Sequence, residues 1–237
     1  MNLARNVIMT GASGSIGRSI AARLVQCGCS VVGLGRRAVQ LGADDATFTH
    51  TYIDLADLEV LPEVLQRLTH CHSEADTIIC AAGVGRFGSL EEFSIAQIRH
   101  LVDVNLTSQV CVIRAFLPLL KRRGGGDVVV IGSEAALTGG ARGAIYSATK
   151  FALRGFTQSL RQECAKVGVR VTLINPGMVR SGFFEDLAFE PGEDAANAIV
   201  PEDVAGAVEL VLSARPETVI DEINLSPLKK VVRRKTD

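Results

Sequence analysis

The chain has 237 residues, of which 47% are hydrophobic and 22% charged, and its formal net charge is −1. That much apolar surface excludes a disordered polymer, and a charge so near zero gives no electrostatic reason to expect a nucleic-acid partner. The length favours a single domain spanning 1–237, with one large core.

Cys27, Cys29, Cys71, Cys80, Cys111 and Cys164 lack Cys-x-x-Cys or Cys/His ligand spacing, so buried free thiols are expected. Of the four histidines only His70 and His72 lie close in sequence, at an expected helix end, and no metal site is predicted. No run of about 18 uninterrupted apolar residues occurs, and residues 1–10 lack a secretory pattern. The expectation is a cytoplasmic protein with no membrane partner.

Short β-branched runs begin at Val7–Met9 and recur at Ser30–Leu34, Thr47–Ile53, Thr77–Cys80, Val128–Ile131, Val169–Ile174 and Thr218–Ile223, each reading as a buried strand. Between them, segments such as Ile95–Lys121 and Ala144–Val167 carry apolar residues three and four apart, as helices do. The alternation predicts a doubly wound Rossmann fold, a central parallel sheet of about seven strands with helices on both faces. "RRGGGD" at Arg122–Asp127 reads as a helix stop within that domain.

After the first strand comes "TGASGSIG". Gly11 lets the chain turn sharply, Gly14 and Gly17 keep side chains away from an approaching pyrophosphate, and a helix starting near Ile16 offers its free N–H groups and positive dipole end. About 20 residues further on, a fold of this type places an Asp or Glu against the ribose of NAD. Here Gly35 holds that position and Arg36 and Arg37 follow it, which suits a 2'-phosphate and predicts NADP(H) rather than NAD(H).

The fifth strand ends at Ser133, and Tyr146 and Lys150 follow on one face of the next helix. A phenol with a pKa of about 10 exchanges protons efficiently near neutral pH when brought toward about 7. A cation about 4 Å away supplies on the order of 4 kcal/mol at an effective dielectric of about 20, which is the required size. Lys150 is the candidate, together with the charge of an oxidised nicotinamide.

These motifs, in this order, resemble the short-chain dehydrogenase/reductase family over nearly the whole chain. "TGASGSIG" looks like its cofactor turn, "DLAD" at Asp54 like its acidic adenine contact, "CAAG" at Cys80–Gly83 like the motif after its fourth strand, and "DVNLTS" supplies Asn105. The resemblance implies a catalytic tetrad: Ser133 as a hydrogen-bonding group, Tyr146 as acid/base, Lys150 as the ribose anchor that lowers the tyrosine pKa, and Asn105 as anchor of a water relay. It implies cofactor contacts from Gly11, Ser13, Gly14, Ser15, Ile16 and Gly17 in the turn, and from Asp54, Leu55, Ala81, Ala82 and Gly83 further on. In "INPGMVRSGF" it places Pro176 and Gly177 beneath the nicotinamide and Val179 and Ser181 near its carboxamide.

Two departures are visible. Ser15 stands where the family's turn has glycine, the middle glycine having moved to Gly14 as in extended members, and Cys80 and Ala81 replace two asparagines. Cys80 reads as a small core residue.

The implied reaction passes a hydride from NADPH to a small-molecule carbonyl, or back from the alcohol, with Tyr146 moving the proton and Ser133 holding the oxygen. A catalytically silent nucleotide-sensing regulator and an extended-type epimerase or dehydratase are the alternatives. Substrate identity is expected from about 181–200, where Phe183, Phe184, Leu187 and Phe189 form either an apolar lid or a packed connecting loop. Arg142 and Arg180 flank the site and read as solvent-facing, and "LKKVVRRKTD" at 228–237 as a solvated tail. The resemblance also implies a homotetramer or homodimer built on the two long helices.

Overall fold

The computed structural model of the chain describes residues 2–41 and 47–235; the expected tail at 228–237 runs two residues past them. The elements in chain order are β1 (Asn6–Thr10), α1 (Ser15–Gln26), β2 (Ser30–Gly35), β3 (Phe48–Tyr52), α2 (Leu61–Cys71), β4 (Thr77–Cys80), α3 (Ile95–Val102), α4 (Ser108–Arg122), β5 (Gly126–Ile131), α5 (Ala144–Cys164), β6 (Val169–Pro176), β7 (Phe189–Pro191), α6 (Pro201–Ser213), β8 (Glu222–Leu225) and β9 (Val232–Arg234).

Seven strands form one parallel sheet in the order β3-β2-β1-β4-β5-β6-β8. β4 and β6 are buried along their whole lengths, because the crossover helices cover both sheet faces. On one face α1 and α6 bury Ile20, Leu24, Val204, Val208 and Val211 against Met9, Val31, Ile79 and Ile174. On the other, α2, α4 and α5 bury Leu65, Phe116 and Leu153 against Ile8, Ile78 and Val130. The strand order reverses between β1 and β4, so a crevice opens beyond their carboxyl ends.

Three strand expectations need correction. β3 and β8 are only half-buried, with Tyr52 68% exposed, because they close the two edges of the sheet and have a neighbour on one side only. The last sheet strand starts at Glu222 rather than Thr218. Upstream of it the Thr218 and Ile220 carbonyls accept hydrogen bonds from the Arg170 and Thr172 side chains, at 3.3 and 2.7 Å, in place of ladder partners. Cys71 is exposed and Cys111 half-buried, whereas Cys27, Cys29, Cys80 and Cys164 are buried free thiols.

α3 and α4 run as one helix interrupted by a π-helical turn at Asp103–Thr107. By length and composition Ile95–Arg122 could cross a membrane, but Leu101, Val112, Ile113, Phe116 and Leu120 are buried within the fold, as in the core helix of a layer. It stops as the glycines predict: Gly124 is left-handed at φ 77° and the Gly125 N–H donates to the Leu120 carbonyl at 3.1 Å.

The C-terminal segment departs most from expectation. β9 pairs antiparallel with β7, Arg233 binds Glu190 and Glu193, and Lys235 Nζ donates to the carbonyls of Phe184 and Glu185. The stretch is therefore a paired strand rather than a free tail, because the loop it meets is acidic, while Leu228 to Arg234 stay exposed to solvent as expected. Arg180 is exposed, as expected, and also donates to the Gly192 carbonyl at 2.8 Å, which folds the same loop back on itself.

Candidate active site

The glycine turn is built at the end of β1. Gly11 is left-handed at φ 73°, and a Cβ there would stand 2.6 Å from the Ala82 N; a Cβ at Gly17 would collide with the Gly11 carbonyl oxygen. Both positions need glycine to let β1, β4 and α1 converge. Gly14 is different, since its Cβ would make only an ordinary 3.5 Å contact. It caps α1 in an extended conformation without a side-chain acceptor, which leaves the first-turn N–H groups facing a cavity of about 840 Å³. An anionic phosphate fits that cradle of glycine and free N–H groups. Ser15 Oγ accepts a 3.3 Å hydrogen bond from the Gly182 N–H, tying the turn to the loop after β6.

Thr10 holds the adjoining strand ends together. Its hydroxyl donates to Gln109 Oε1 at 2.9 Å and accepts from the Ala81 and Ala82 N–H groups, both at 3.2 Å. Gln109 in turn donates to the Val104 carbonyl at 3.0 Å inside the π-helical turn. This buried network fixes the backbone after β4, where Cys80 and Ala81 bring no amide of their own. Burial pushes the Cys80 thiol up to about 12, so it behaves as an inert core residue.

The π-helical turn aims Asn105 at the same backbone. Its Oδ1 accepts from the Val84 N–H at 2.8 Å, and its Nδ2 donates to the Val84 carbonyl at 2.9 Å and to Thr149 Oγ1 at 3.3 Å. Thr149 donates to the Tyr146 carbonyl at 2.7 Å, so Asn105 links the loop after β4 to the first turn of α5.

Ser133, at the end of β5, accepts from the Ala135 N–H at 3.1 Å and lines the same cavity as the Tyr146 phenol. Lys150, one turn beyond Tyr146, is buried, donates to the Ile131 carbonyl at 3.2 Å, and lies 5.8 Å from the Tyr146 ring centre. The expected lowering of the tyrosine pKa is not what the protein alone produces. Burial pushes Tyr146 up to about 12, while the Ser133 side chain acts downward and the Glu134 carboxylate upward. The reason is that Lys150 is desolvated too, which lowers it to about 8, and its ammonium is turned to a backbone carbonyl.

Phenylalanines surround the phenol. Phe87 stands 5.1 Å from Tyr146 and 5.0 Å from Phe189, Phe183 stands 6.0 Å from Tyr146, and Phe184 bridges Phe183 and Phe189. The packing reading holds for Phe184, which is buried, while Phe183 is partly exposed on the cavity. Leu187 is half-buried beside them. Arg142 is exposed, 3.8 Å from Glu92.

One cavity gathers Gly11, Ser13, Gly14, Ser15, Ile16, Gly17, Arg37, Ala81 and Gly83 with Ser133, Tyr146 and Lys150, and also Pro176, Gly177, Val179 and Ser181. Five expected residues are outside its lining. Arg36 is exposed; Leu55 is buried in the core; Asp54 accepts from the Ala56 N–H at 3.0 Å; Ala82 packs beside β4; and Asn105 is turned to Val84. The structure adds Phe87, Glu134, Lys230 and Val232, the last two from the stretch expected to be a solvated tail. Only the charge of Glu134, directly after Ser133, was a visible signal. Among the described residues no cluster of His, Cys, Asp or Glu could hold a metal ion.

Sheet order, glycine cradle and a buried phenol–lysine pair in one cleft define a doubly wound α/β protein with a site for a large anionic ligand and acid/base chemistry. Residues 5–190 match the short chain dehydrogenase family. The chain is 34% identical over 248 residues to dehydrogenase/reductase SDR family member 11 of Mus musculus, covering 96% of this chain and 95% of that one. An uncharacterised oxidoreductase of Staphylococcus epidermidis is 29% identical over 225 residues, with coverage of 93% and 96%. Among solved structures, the closed form of serine dehydrogenase complexed with NADP+ superposes with a TM-score of 0.81 at 26% identity, covering 94% of this chain and 95% of that one. The chain belongs to the short-chain dehydrogenase family and is an oxidoreductase of that type.

Proposed function

We propose that the protein is an NADPH-dependent oxidoreductase that reduces a small-molecule carbonyl to an alcohol. The observation that carries this reading is the convergence of Ser133, Tyr146 and Lys150 on one cavity with the glycine cradle and Arg37. NADP+ in the similar serine dehydrogenase supports the choice of cofactor. Arg37 would take the 2'-phosphate, with Gly35 bringing no carboxylate to repel it. Gly14, Ser15, Ile16 and Gly17 would hold the pyrophosphate, and Pro176, Gly177, Val179 and Ser181 the nicotinamide end.

NADPH held by these residues would supply the hydride for the carbonyl carbon. Tyr146, with a pKa of about 12, is protonated at neutral pH and donates its hydroxyl proton to the carbonyl oxygen. Ser133 holds that oxygen through its hydroxyl, and Lys150 keeps a proton at Nζ beside the phenol that must be recharged. Asn105 acts by positioning α5 against the loop after β4. We also place this chemistry in a single-domain, cytoplasmic homo-oligomer, a dimer or tetramer; an apolar groove of about 400 Å³ lined by Ile113, Leu117, Phe156 and Leu160 between α4 and α5 supports the helical interface.

The test is Tyr146→Phe, followed by NADPH oxidation with a panel of aldehydes and ketones. General acid catalysis of this kind contributes about 10²–10⁴-fold, and kcat is expected to fall by that amount with the NADPH Kd unchanged. Comparable turnover in the variant would remove Tyr146 from the chemistry. Tight NADPH binding with no turnover of any carbonyl by the unaltered protein would favour the silent regulator.

A further inference from the structure

We propose that the C-terminal segment Ser226–Lys235 is a wall of the substrate site, and that the site it closes takes uncharged carbonyl compounds with an apolar, ring-sized body. This rests on the oxidoreductase reading above and narrows it. Ser226, Lys230 and Val232 line the cavity that holds Ser133 and Tyr146. The segment is fastened at every turn: the Lys229 N–H donates to the Ala196 carbonyl at 2.9 Å, Asn197 Nδ2 to the Lys229 carbonyl at 3.1 Å, and the Gly192 N–H to the Val231 carbonyl at 3.0 Å. Beyond these, β9 pairs with β7, and Arg233 and Lys235 grip the loop that carries Phe183 and Phe184. Removing the grip would release the aromatic wall as well as Val232.

The chemistry of the walls selects the ligand. The space beside the Tyr146 ring is bounded by Phe87, Phe183 and Phe189, whose ring faces and edges suit another ring. Three cations line the cavity among the described residues. Arg37 lies beyond β2, with β1 and β4 between it and the β5 end that carries Ser133, Lys150 serves the Ile131 carbonyl, and Lys230 is held 2.8 Å from Glu134. With Glu185 also on the lining, a substrate carboxylate would meet two carboxylates and no uncommitted cation. The pocket thus rejects an anionic partner while accepting an apolar one.

Three matched probes separate these features: acetophenone, butanone, which lacks the ring, and benzoylformate, which keeps the ring and adds a carboxylate. With NADPH, kcat/KM is expected to be greatest for acetophenone, by about tenfold or more, as pocket discrimination of this kind allows. Arg233→Glu reverses the pairs with Glu190 and Glu193, and Val232→Asp keeps those pairs but places a carboxylate in the wall. Each is expected to raise the acetophenone KM, and its calorimetric Kd for the NADP+ complex, by about tenfold with the NADPH Kd unchanged; Arg234→Glu is the charge control. Preference for butanone or benzoylformate, or no binding of acetophenone by the unaltered protein, overturns the substrate class. Arg233→Glu and Val232→Asp behaving like Arg234→Glu overturns the wall. Acetophenone that binds without turnover, and loses binding in both variants, sustains the inference while the reductase reading fails.

Discussion

Arg36 and Arg37 are neighbours in sequence, yet only Arg37 reaches the cavity. Successive residues leaving a strand point in opposite directions, so the pair is legible as a candidate while the choice between them is not. Arg37→Ala is expected to raise the NADPH KM about tenfold, the scale of one charge-assisted contact, and to leave the NADH KM nearly unchanged. Arg36→Ala should have a smaller effect, and equal losses in steady-state kinetics would contradict the assignment. Lys150 and Tyr146 also write themselves into stability. Burial lowers Lys150 from 10.5 to about 8, so between those values the unfolded chain binds the extra proton and stability rises with pH. Tyr146, raised from 10.0 to about 12, acts oppositely, because above its ordinary value only the unfolded chain ionises and stability falls. In Lys150→Met the rise in urea midpoint from pH 8 toward 9, below the range where the buried thiols and Tyr146 act oppositely, should vanish, and an unchanged slope would show that Lys150 is not its source.

At the scale of elements, the glycine turn was readable because its reason is local. Gly11 and Gly17 are demanded by a left-handed backbone and by the close approach of α1 to β1. Gly17→Ala is accordingly expected to cost about 1–3 kcal/mol through overpacking, and Gly14→Ala less than half of that, measured by urea denaturation. The reverse ranking would put the steric requirement at the wrong glycine. The π-helical turn was not readable, since α3 and α4 look like one helix to a periodicity of three and four. Its effect is to direct Asn105 and Gln109 onto the ends of β4 and β1, where they replace the amides absent from Cys80 and Ala81. β7 and β9 were missed for a different reason. Three-residue strands rich in charge carry no alternation, and Glu190 and Arg233 meet across 43 residues of intervening chain.

For the whole molecule, the helices that cover the sheet also present surface to solvent. Phe151 on α5 is 43% exposed, and Gly155 one turn on has open space around it, which suits close helix approach between copies. If the protein is the homo-oligomer proposed above, Phe151→Glu is expected to lower the mass found by light scattering to that of a smaller oligomer or the monomer, whereas an unaltered mass would place the interface elsewhere. The sequence by itself determined the strand-and-helix alternation, the parallel doubly wound sheet, the glycine turn and the order of Ser133, Tyr146 and Lys150, because periodicity, chirality and backbone freedom act within a few residues. The three-dimensional fold alone shows which arginine enters the cavity, why Tyr146 stands above its ordinary pKa, and that the basic C-terminal stretch pairs with β7 along the cavity. Those outcomes depend on burial and on charges brought together from distant parts of the chain, and neither is encoded in any local pattern.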